Sequence, residues 1–337
     1  MSVINVEHIS KLYGDKMILE DLSCSVDEGD KIGIIGINGT GKSTLLRIIA
    51  GEEEADEGKI IFSNGMTIGW MGQNPDYDKA DVIMLGLPFD GTVSYRPGSR
   101  FAPEQIRLAS WGLEEYSPNF DRPLEDVNFH DAGDLEFPLG NTYKSLEVIE
   151  KNVEEIYKDG KKVFGIGGEH LVTLPEIKAV SKFYKDLAIV HFDAHTDLRE
   201  EYLGEEMSHS AVIRHCTKII GAENLRQIGI RSGMKEEFEF MKQHNTLAHQ
   251  YSDLDALKGK KIFVTVDLDV LDPSIMPGTG TPESGGFTFN ELTGWFKYLQ
   301  NFDIIGADVV ELAPDYDATG VSTAVATKVI RELLMIL

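Results

Sequence analysis

The sequence predicts an α/β protein with three layers, α/β/α, in which helices cover both faces of a parallel sheet, preceded by a shorter segment with a nucleotide-binding loop. From about residue 79, short apolar runs alternate with stretches of helical spacing, a pattern typical of parallel sheets. Residues 36–44 read GINGTGKST, a glycine-rich phosphate-loop motif. The 337 residues can form one large domain or two smaller ones. We therefore predict a division into residues 1–78 and 79–337.

The phosphate loop contains Gly36, Gly41, Lys42 and Ser43 at the spacing G-x-x-x-x-G-K-S. The apolar run KIGIIGI before it predicts a strand, and LLRIIAG after it predicts a helix. In that setting backbone N–H groups and the helix N-terminus face phosphates, Lys42 supplies charge, and Ser43 can hold Mg²⁺. The motif therefore indicates ATP or GTP as a candidate ligand.

Residues 1–78 resemble the beginning of an ABC-type ATPase domain. The resemblance implies that Tyr13 stacks on adenine and that Gln73 is the Q-loop glutamine. The chain contains no LSGGQ signature, and the acidic strand end FVTVDLD (263–269) has its second acid two residues late. Phosphoryl transfer depends on such positioning groups. ATP with Mg²⁺ is thus a doubtful cofactor, and we expect no hydrolysis.

The second segment contains six apolar runs that predict strands and four patterns that predict helices. The predicted strands are 81–88, 162–168, 187–195, 225–232, 261–269 and 304–312. The predicted helices are 142–160, 174–184, 289–300 and 322–337. In parallel sheets of this kind a ligand site lies beyond the carboxyl ends of the strands.

Three of these strand ends carry acidic and histidine residues, in the runs GGEH (167–170), HFDAHTD (191–197) and VDLDVLDP (266–273). The candidate metal ligands are His170, Asp193, His195, Asp197, Asp267 and Asp269. Extended backbone would direct alternate residues of DAHTD to one side. A single such residue is more often a turn or cap residue. Clustered carboxylates repel one another and call for cations, and this oxygen-rich donor set favours two Mn²⁺ ions about 3.5–4 Å apart.

From about Asp81 to Leu337 the chain resembles the ureohydrolase family of arginases and agmatinases. The resemblance implies that one Mn²⁺ takes His170, Asp193, Asp197 and Asp267, and the other Asp193, His195, Asp267 and Asp269. It also implies that a hydroxide between the ions attacks the guanidinium carbon. By the same resemblance, His209 in MSHSAV is the proton shuttle and Glu311 in DVVELAP pairs with the guanidinium.

The acidic run LREEYLGEEMSHS after DAHTD resembles agmatinases rather than arginases. The runs FDGTVSYRPGSRFAPEQIR (89–107) and GIRSG (229–233) support the same assignment. We expect conversion of agmatine and water to putrescine and urea. A guanidinobutyrase or an arginase remains an alternative, as do an ATP-regulated protein acting through residues 1–78 and an inactive scaffold. The N-terminal segment could be a natural fusion, a misjoined gene or an engineered graft.

The composition limits the partners. A net charge of −24 argues against a nucleic-acid-binding protein and mildly favours a cationic ligand such as a small guanidino compound. No uncharged apolar run is long enough to cross a bilayer, so no membrane partner is expected. Two cysteines and no signal-peptide pattern suggest a cytoplasmic protein. The ureohydrolase resemblance implies a homo-oligomer, either a trimer or a hexamer.

Overall fold

The computed structural model describes residues 2–13, 16–35, 41–51, 53–63, 66 and 77–337. It divides into two compact units, Met1–Gln73 and Asn74–Leu337. The predicted division between residues 78 and 79 stays a prediction. In the described part of the chain, no helix combines the length and apolar composition of a membrane span.

The first unit contains a three-stranded antiparallel sheet and one helix. Its elements are β1 (Ser2–Tyr13), β2 (Lys16–Asp27), α1 (Lys42–Ala50) and β3 (Glu57–Phe62). The strand order is β2-β1-β3. A small apolar core joins Val6 and Ile9 of the sheet to Leu45 and Ile48 of the helix. The helix predicted from LLRIIAG is therefore present, and it packs on the sheet through its apolar side.

The strand predicted from KIGIIGI is wrong for the residues that the structure describes. Residues 31–35 form no strand, and Ile35 is 94% exposed. A strand needs neighbours that take its backbone hydrogen bonds. In the described part of this unit, the strand pairs are β1 with β2 and β1 with β3. Residues 31–35 find no partner there, so an apolar sequence alone does not make them a strand.

The second unit is built on a seven-stranded sheet in which every pair of neighbours is parallel. Its strands are β4 (Val82–Leu87), β7 (Phe129–Asp134), β8 (Lys162–Gly167), β9 (Leu187–Phe192), β10 (Leu225–Ile228), β11 (Lys261–Asp267) and β12 (Asp303–Val310). The order is β10-β9-β11-β12-β8-β4-β7. A separate two-residue pair is formed by β5 (Tyr116–Ser117) and β6 (Arg122–Pro123).

Helices pack on both faces of this sheet. They are α2 (Ala102–Ser110), α3 (Thr142–Lys158), α4 (Thr173–Val180), α5 (Val212–Ile220), α6 (Lys235–His244), α7 (Phe289–Leu299) and α8 (Val321–Leu334). Met84 belongs to an apolar cluster with residues of α2, α7 and α8. Its neighbour Ile83 belongs to a second cluster with residues of α3, α4 and α5. Because successive strand residues point to opposite faces, the two clusters are two layers around the sheet, which confirms the predicted α/β architecture.

All six predicted strands are present, and the seventh, β7, escaped prediction. Half of its sequence FHDAGD is polar, and the strand is partly exposed at the edge of the sheet. The helices α2, α5 and α6 were also missed; they are short, at 9, 9 and 10 residues. The central strands β9, β11, β12 and β8 follow one another in the sheet. Their carboxyl ends therefore bring together residues that lie far apart in the sequence.

Candidate metal centre

The first cluster at this sheet edge surrounds the ring of His170. Its Nδ1 atom lies 3.2 Å from Asp193 Oδ2, 3.2 Å from Asp197 Oδ2 and 3.3 Å from Asp267 Oδ2. All four side chains are buried. His170 follows β8, Asp193 and Asp197 follow β9, and Asp267 ends β11. The ends of two strands, β9 and β11, thus place carboxylate oxygens around one nitrogen that follows a third strand, β8.

A second cluster continues from the first through Asp193. His195 Nδ1 lies 2.9 Å from Asp269 Oδ2 and 3.5 Å from Asp193 Oδ1. Asp193 therefore turns one oxygen towards His170 and the other towards His195. The structure brings all six predicted ligand side chains into two adjoining groups.

The backbone route to this arrangement differs from the predicted one. β9 ends at Phe192, and Asp197 has a left-handed φ of 50°. His195 forms an isolated bridge with Ser232, and the His195 amide donates to Asp193 Oδ1 at 2.5 Å. The expected extended alternation through DAHTD is wrong. A folded loop, rather than a continuous strand, places the three side chains.

Asp267 and Asp269 are also joined by a turn. Asp269 lies in the 3₁₀ turn Leu268–Val270, and its amide donates to Asp267 Oδ1 at 2.9 Å. The guanidinium of Arg231 donates to the Asp269 carbonyl at 2.6 Å. These contacts fix the backbone that carries both carboxylates, which the sequence spacing alone does not reveal.

His191 is a buried member of the site that sequence reasoning missed. Its Nε2 lies 2.8 Å from Asp193 Oδ2, and its Nδ1 lies 3.1 Å from Gln227 Nε2. Gln227 Oε1 accepts from Thr246 at 3.0 Å, so the Gln227 amide nitrogen is the atom that faces His191. The His191 ring consequently accepts at Nδ1 and donates from Nε2 to Asp193. Its place two residues before Asp193 in HFDAHTD was the available signal.

His209 lies beside a cavity of about 290 Å³ that His195, Asp197, Asp267 and Glu311 also line. The amide of His209 donates to Thr92 Oγ1 at 3.1 Å, and its ring Nδ1 lies 3.0 Å from the Thr92 carbonyl oxygen. A carbonyl only accepts, so Nδ1 carries a proton and Nε2 is left as the acceptor in the neutral ring. Burial lowers the pKa of His209.

Glu311 follows β12 and has a left-handed φ of 67°. Its Oε1 accepts from the amide of His170 at 2.8 Å. Burial, and then the charge of Glu169, raises the pKa of Glu311 well above its ordinary value. Backbone strain of this kind gathers at functional sites, where the surroundings enforce it. The contact connects the cavity carboxylate to the backbone of the metal cluster.

The sequence matches the Arginase family model over residues 80–336, more than half of the chain. This chain belongs to the arginase family. Agmatinase of Bacillus subtilis is 48% identical over 292 residues, covering 84% of this chain and 98% of that protein. A candidate agmatinase structure from Clostridium difficile is 48% identical with a TM-score of 0.75, covering 77% of this chain and 98% of that one. The agmatine ureohydrolase of Thermoplasma volcanium has a TM-score of 0.70 at 30% identity, covering 78% and 92%.

The donor set of this arginase-family chain fits a pair of divalent cations. His170 Nδ1 is buried and has no hydrogen-bond partner, although three carboxylate oxygens face it. Ligand atoms of His170, His191 and Asp193 lie within 4.8 Å of one another, as do those of Asp193, His195 and Asp269. Imidazole nitrogen and carboxylate oxygen together suit a borderline or hard cation. The family's binuclear site is therefore represented by its histidine and aspartate side chains.

The pKa shifts of the clustered aspartates also favour a site for cations. Burial, and then the charges of Asp269 and Asp193, raises the pKa of Asp267 well above its ordinary value. Burial and Asp193 likewise raise the pKa of Asp269. Burial opposes the charge on Asp193, but the neighbouring imidazole rings of His170, His191 and His195 hold its pKa well below the usual range. So many buried carboxyl groups are costly unless positive charge balances them.

The acidic run LREEYLGEEMSHS after DAHTD places a basic residue, not only acidic ones, near the cavity. Arg199 and Tyr202 line the cavity, and the Arg199 guanidinium lies 5.0 Å from the centre of the Tyr202 ring. Glu200 instead accepts from Arg214 at 2.8 Å and lies 3.5 Å from Lys218. The first glutamate of the run is thus occupied away from the cavity.

The phosphate loop lies in the first unit, and residues 19–81 match the ABC transporter family model. Gly41 precedes α1 with a φ of 85°, and Lys42 is the first helical residue. Gly36, the side chain of Ser43 and Gln73 lie outside the described residues. The Tyr13 hydroxyl lies 2.5 Å from Glu53 Oε1 and accepts from Arg47 at 3.2 Å. The four loop residues remain candidate phosphate ligands by prediction.

Proposed function

We propose that this arginase-family protein is an agmatinase, which converts agmatine and water to putrescine and urea. The observation that carries the proposal is the sharing of Asp193 between the two imidazole–carboxylate groups beside the cavity. The choice of agmatine as the substrate rests on the agmatinases of similar sequence, at 45–48% identity over most of their length.

We propose two Mn²⁺ ions per chain as the cofactor. One ion would take His170, Asp193, Asp197 and Asp267, and the other Asp193, His195, Asp267 and Asp269. When bound, the ions would make a water molecule nucleophilic near neutral pH and balance the carboxylate charge. The donor set of carboxylates with one imidazole each favours Mn²⁺ over thiolate-preferring metals.

The chain's own groups would hold the substrate and supply a proton. Glu311 would accept hydrogen bonds from the planar guanidinium, to which a carboxylate binds through two parallel contacts. Because the Nδ1 proton is held by the Thr92 carbonyl, His209 would take up a proton from solvent at Nε2 and pass that proton to the departing amine. The Ser94 hydroxyl, 3.2 Å from that Nε2, lines the same cavity. Orientation by these fixed groups lowers the cost of reaching the reactive geometry.

A guanidinobutyrase is the second candidate, and Arg199 is the observation that favours it. Among the residues described, no carboxylate forms an ion pair with this cavity-lining guanidinium, which stacks on Tyr202. A cation there would attract the carboxylate of 4-guanidinobutyrate and repel the ammonium of agmatine. The agmatinase relatives outweigh this single residue.

Urea release from a panel of guanidino compounds, with added Mn²⁺, tests the assignment. Agmatine should give the highest kcat/KM, 4-guanidinobutyrate less, and arginine far less. Arginine carries both an α-carboxylate and an α-ammonium group, and a charged group left without a partner costs about 1–3 kcal/mol or more. A higher kcat/KM for 4-guanidinobutyrate would establish the second candidate, and release from arginine at the agmatine rate would remove both.

We further propose that residues 1–78, which include the whole first unit, play no part in this reaction. Residues 31–35 form no strand before the phosphate loop, so the described part of the unit lacks the strand–turn–helix context of a working phosphate loop. We propose a homo-oligomer, a trimer or a hexamer, in the cytoplasm. The free thiols Cys24 and Cys216 support a reducing compartment.

A further inference from the structure

Two acidic side chains lie fully buried behind the metal cluster without touching it. Asp308 belongs to β12 and Glu176 to α4, and both are 0% exposed. Asp308 Oδ1 has no hydrogen-bond partner in the described part of the chain. Burying a carboxylate is costly, so a group of this kind needs an explanation.

A chain of hydrogen bonds leads from Asp308 to the metal cluster. The Thr173 hydroxyl donates to Asp308 Oδ2 at 2.7 Å. The Thr173 and Thr265 hydroxyl oxygens lie 3.4 Å apart, and Thr265 Oγ1 lies 3.0 Å from His170 Nε2. All four side chains are buried. With no water-exposed group in the chain, each hydroxyl has few alternative partners.

The carboxylate sets the direction of every bond in this chain. An ionised Asp308 can only accept, so Thr173 must use its single proton to donate to it. Thr173 is then an acceptor for the Thr265 proton, and Thr265 in turn is an acceptor for a proton on His170 Nε2. A neutral ring with a proton on Nε2 has its electron pair on Nδ1. Nδ1 is the atom that faces the three carboxylates.

Glu176 is the second buried carboxyl group next to Asp308. Burial, and then the charge of Asp308, raises the pKa of Glu176 well above its ordinary value. The neutral form of Glu176 is thus favoured beside the Asp308 carboxyl group. Two ionised carboxylates in this position would repel each other.

We propose that Asp308 is a positioning residue for the metal centre, which acts through Thr173 and Thr265 to hold His170 with its Nδ1 electron pair ready for a metal ion. Histidine ligands of metals commonly donate their other ring N–H to an acceptor that fixes the ring. Here two threonines extend that link to a carboxylate outside the site. The inference rests on the metal-binding role proposed for His170, but not on the identity of the substrate.

The decisive variant is Thr173→Val, which removes the central hydroxyl at nearly constant shape. Thr265 would then have no acceptor on that side and could donate to His170 Nε2, which places the ring proton on Nδ1. Thr173→Ser keeps the hydroxyl and is the rescue. Thr327→Val is the matched control, because Thr327 is also buried and its hydroxyl donates to the Thr323 carbonyl at 2.7 Å. Asp308→Asn tests the far end of the chain.

Mn²⁺ should be titrated into metal-free full-length protein, with free Mn²⁺ and the spin-coupled ion pair followed by electron paramagnetic resonance. Folding of each variant is checked by circular dichroism and Tm. We expect Thr173→Val to weaken one of the two Mn²⁺ sites by about tenfold to a hundredfold, the range for lost outer partners of metal ligands. The coupled-pair signal should then appear only at higher Mn²⁺. Thr173→Ser and Thr327→Val should match the wild type.

Folded Thr173→Val with two wild-type affinities would overturn the proposal, as would equal weakening of both sites or the same loss in Thr327→Val. If Asp308→Asn fails to fold, Thr173→Val alone decides. A wild-type protein that binds two Mn²⁺ ions but releases urea from no guanidino compound would refute the proposed function and leave this comparison valid. If His170→Asn weakened neither Mn²⁺ site relative to the wild type, His170 would not be a metal ligand. That result would overturn the positioning role of Asp308 itself.

Discussion

His170 Nδ1 lies 3.2 Å from Asp193 Oδ2, yet this buried nitrogen has no hydrogen bond. The two atoms are at ion-pair distance without forming a hydrogen bond, as is expected when both face a shared centre. Asp193 also reaches His195 with its other oxygen. Predictions about metal content follow from this one carboxylate.

Asp193→Asn should lose both bound ions and reduce urea release to background. The amide keeps the shape but loses the charge and one acceptor oxygen that the two groups share. Elemental analysis of Mn²⁺-reconstituted protein and a urea assay measure the two effects. Asp255→Asn is the control, since Asp255 is an exposed partner of Lys258 at 2.9 Å. An Asp193→Asn protein that retains two Mn²⁺ ions would contradict the shared-ligand role.

The stabilising effect of Mn²⁺ should grow with pH. In the metal-free protein burial disfavours the His195 imidazolium, but Asp269 and Asp193 raise its pKa to about 12. This folded pKa exceeds the unfolded value of about 6.5. The resulting stabilisation is complete below about pH 6.5 and is lost as the pH rises towards 12. Mn²⁺ competes with that proton, so its binding tightens as the pH rises.

Thermal unfolding with chelator and with Mn²⁺, at about pH 6.5, 8 and 9.5, measures this effect. The Tm of the metal-free protein should fall across the series, and the gain in Tm on adding Mn²⁺ should increase. Mn²⁺ gains of the same size at all three pH values would show that no histidine proton is displaced.

His209→Asn should lower kcat by about a hundredfold to ten-thousandfold, the contribution of a positioned acid–base group. KM should change little, and the protein should still bind two Mn²⁺ ions, since His209 is not among the proposed ligands. Steady-state kinetics with agmatine and metal analysis on the same preparation provide both numbers. His249→Asn, a surface substitution in another pocket, is the control. A large rise in KM with unchanged kcat would instead assign His209 to substrate binding.

Arg199→Met should shift the substrate preference towards agmatine. The methionine keeps an apolar stem against Tyr202 but removes the positive charge. The ratio of kcat/KM for agmatine to that for 4-guanidinobutyrate should rise about tenfold, equivalent to about 1.4 kcal/mol. Lys218→Met, which removes a cation paired with Glu200 outside the cavity lining, is the comparison. An unchanged ratio would show that Arg199 does not sense the distal group of the substrate.

Lys42→Ala should leave agmatine hydrolysis unchanged, and ATP should neither be turned over nor alter urea release. The phosphate loop lies in the first unit, whereas every proposed ligand lies in the second. Urea assays with and without ATP, and a phosphate-release assay, measure this. Reduced urea production by a folded Lys42→Ala protein would make the N-terminal unit a regulatory part of the enzyme.

Six of the seven strands of the parallel sheet could be predicted because each contains an apolar run of strand length. β7 could not, since FHDAGD has few apolar residues and, unlike the buried edge strand β10, stays partly exposed. KIGIIGI shows the opposite failure: it is apolar enough for a strand, but residues 31–35 have no neighbour to pair with. An apolar composition favours burial of a segment, but the segment forms a strand only where neighbouring strands take its backbone hydrogen bonds.

The sequence by itself determined the type of chemistry, because GGEH, DAHTD and DLDVLDP place metal-ligand residues directly after apolar strands. Only the tertiary structure decided how those residues meet. The left-handed backbone at Asp197, the Asp267–Asp269 turn and the ring contacts of His191 depend on neighbours from distant parts of the chain. The link from Asp308 to His170 spans four elements in the same way. Local residue order fixes which atoms are available, whereas their hydrogen bonds and protonation depend on what packing brings next to them.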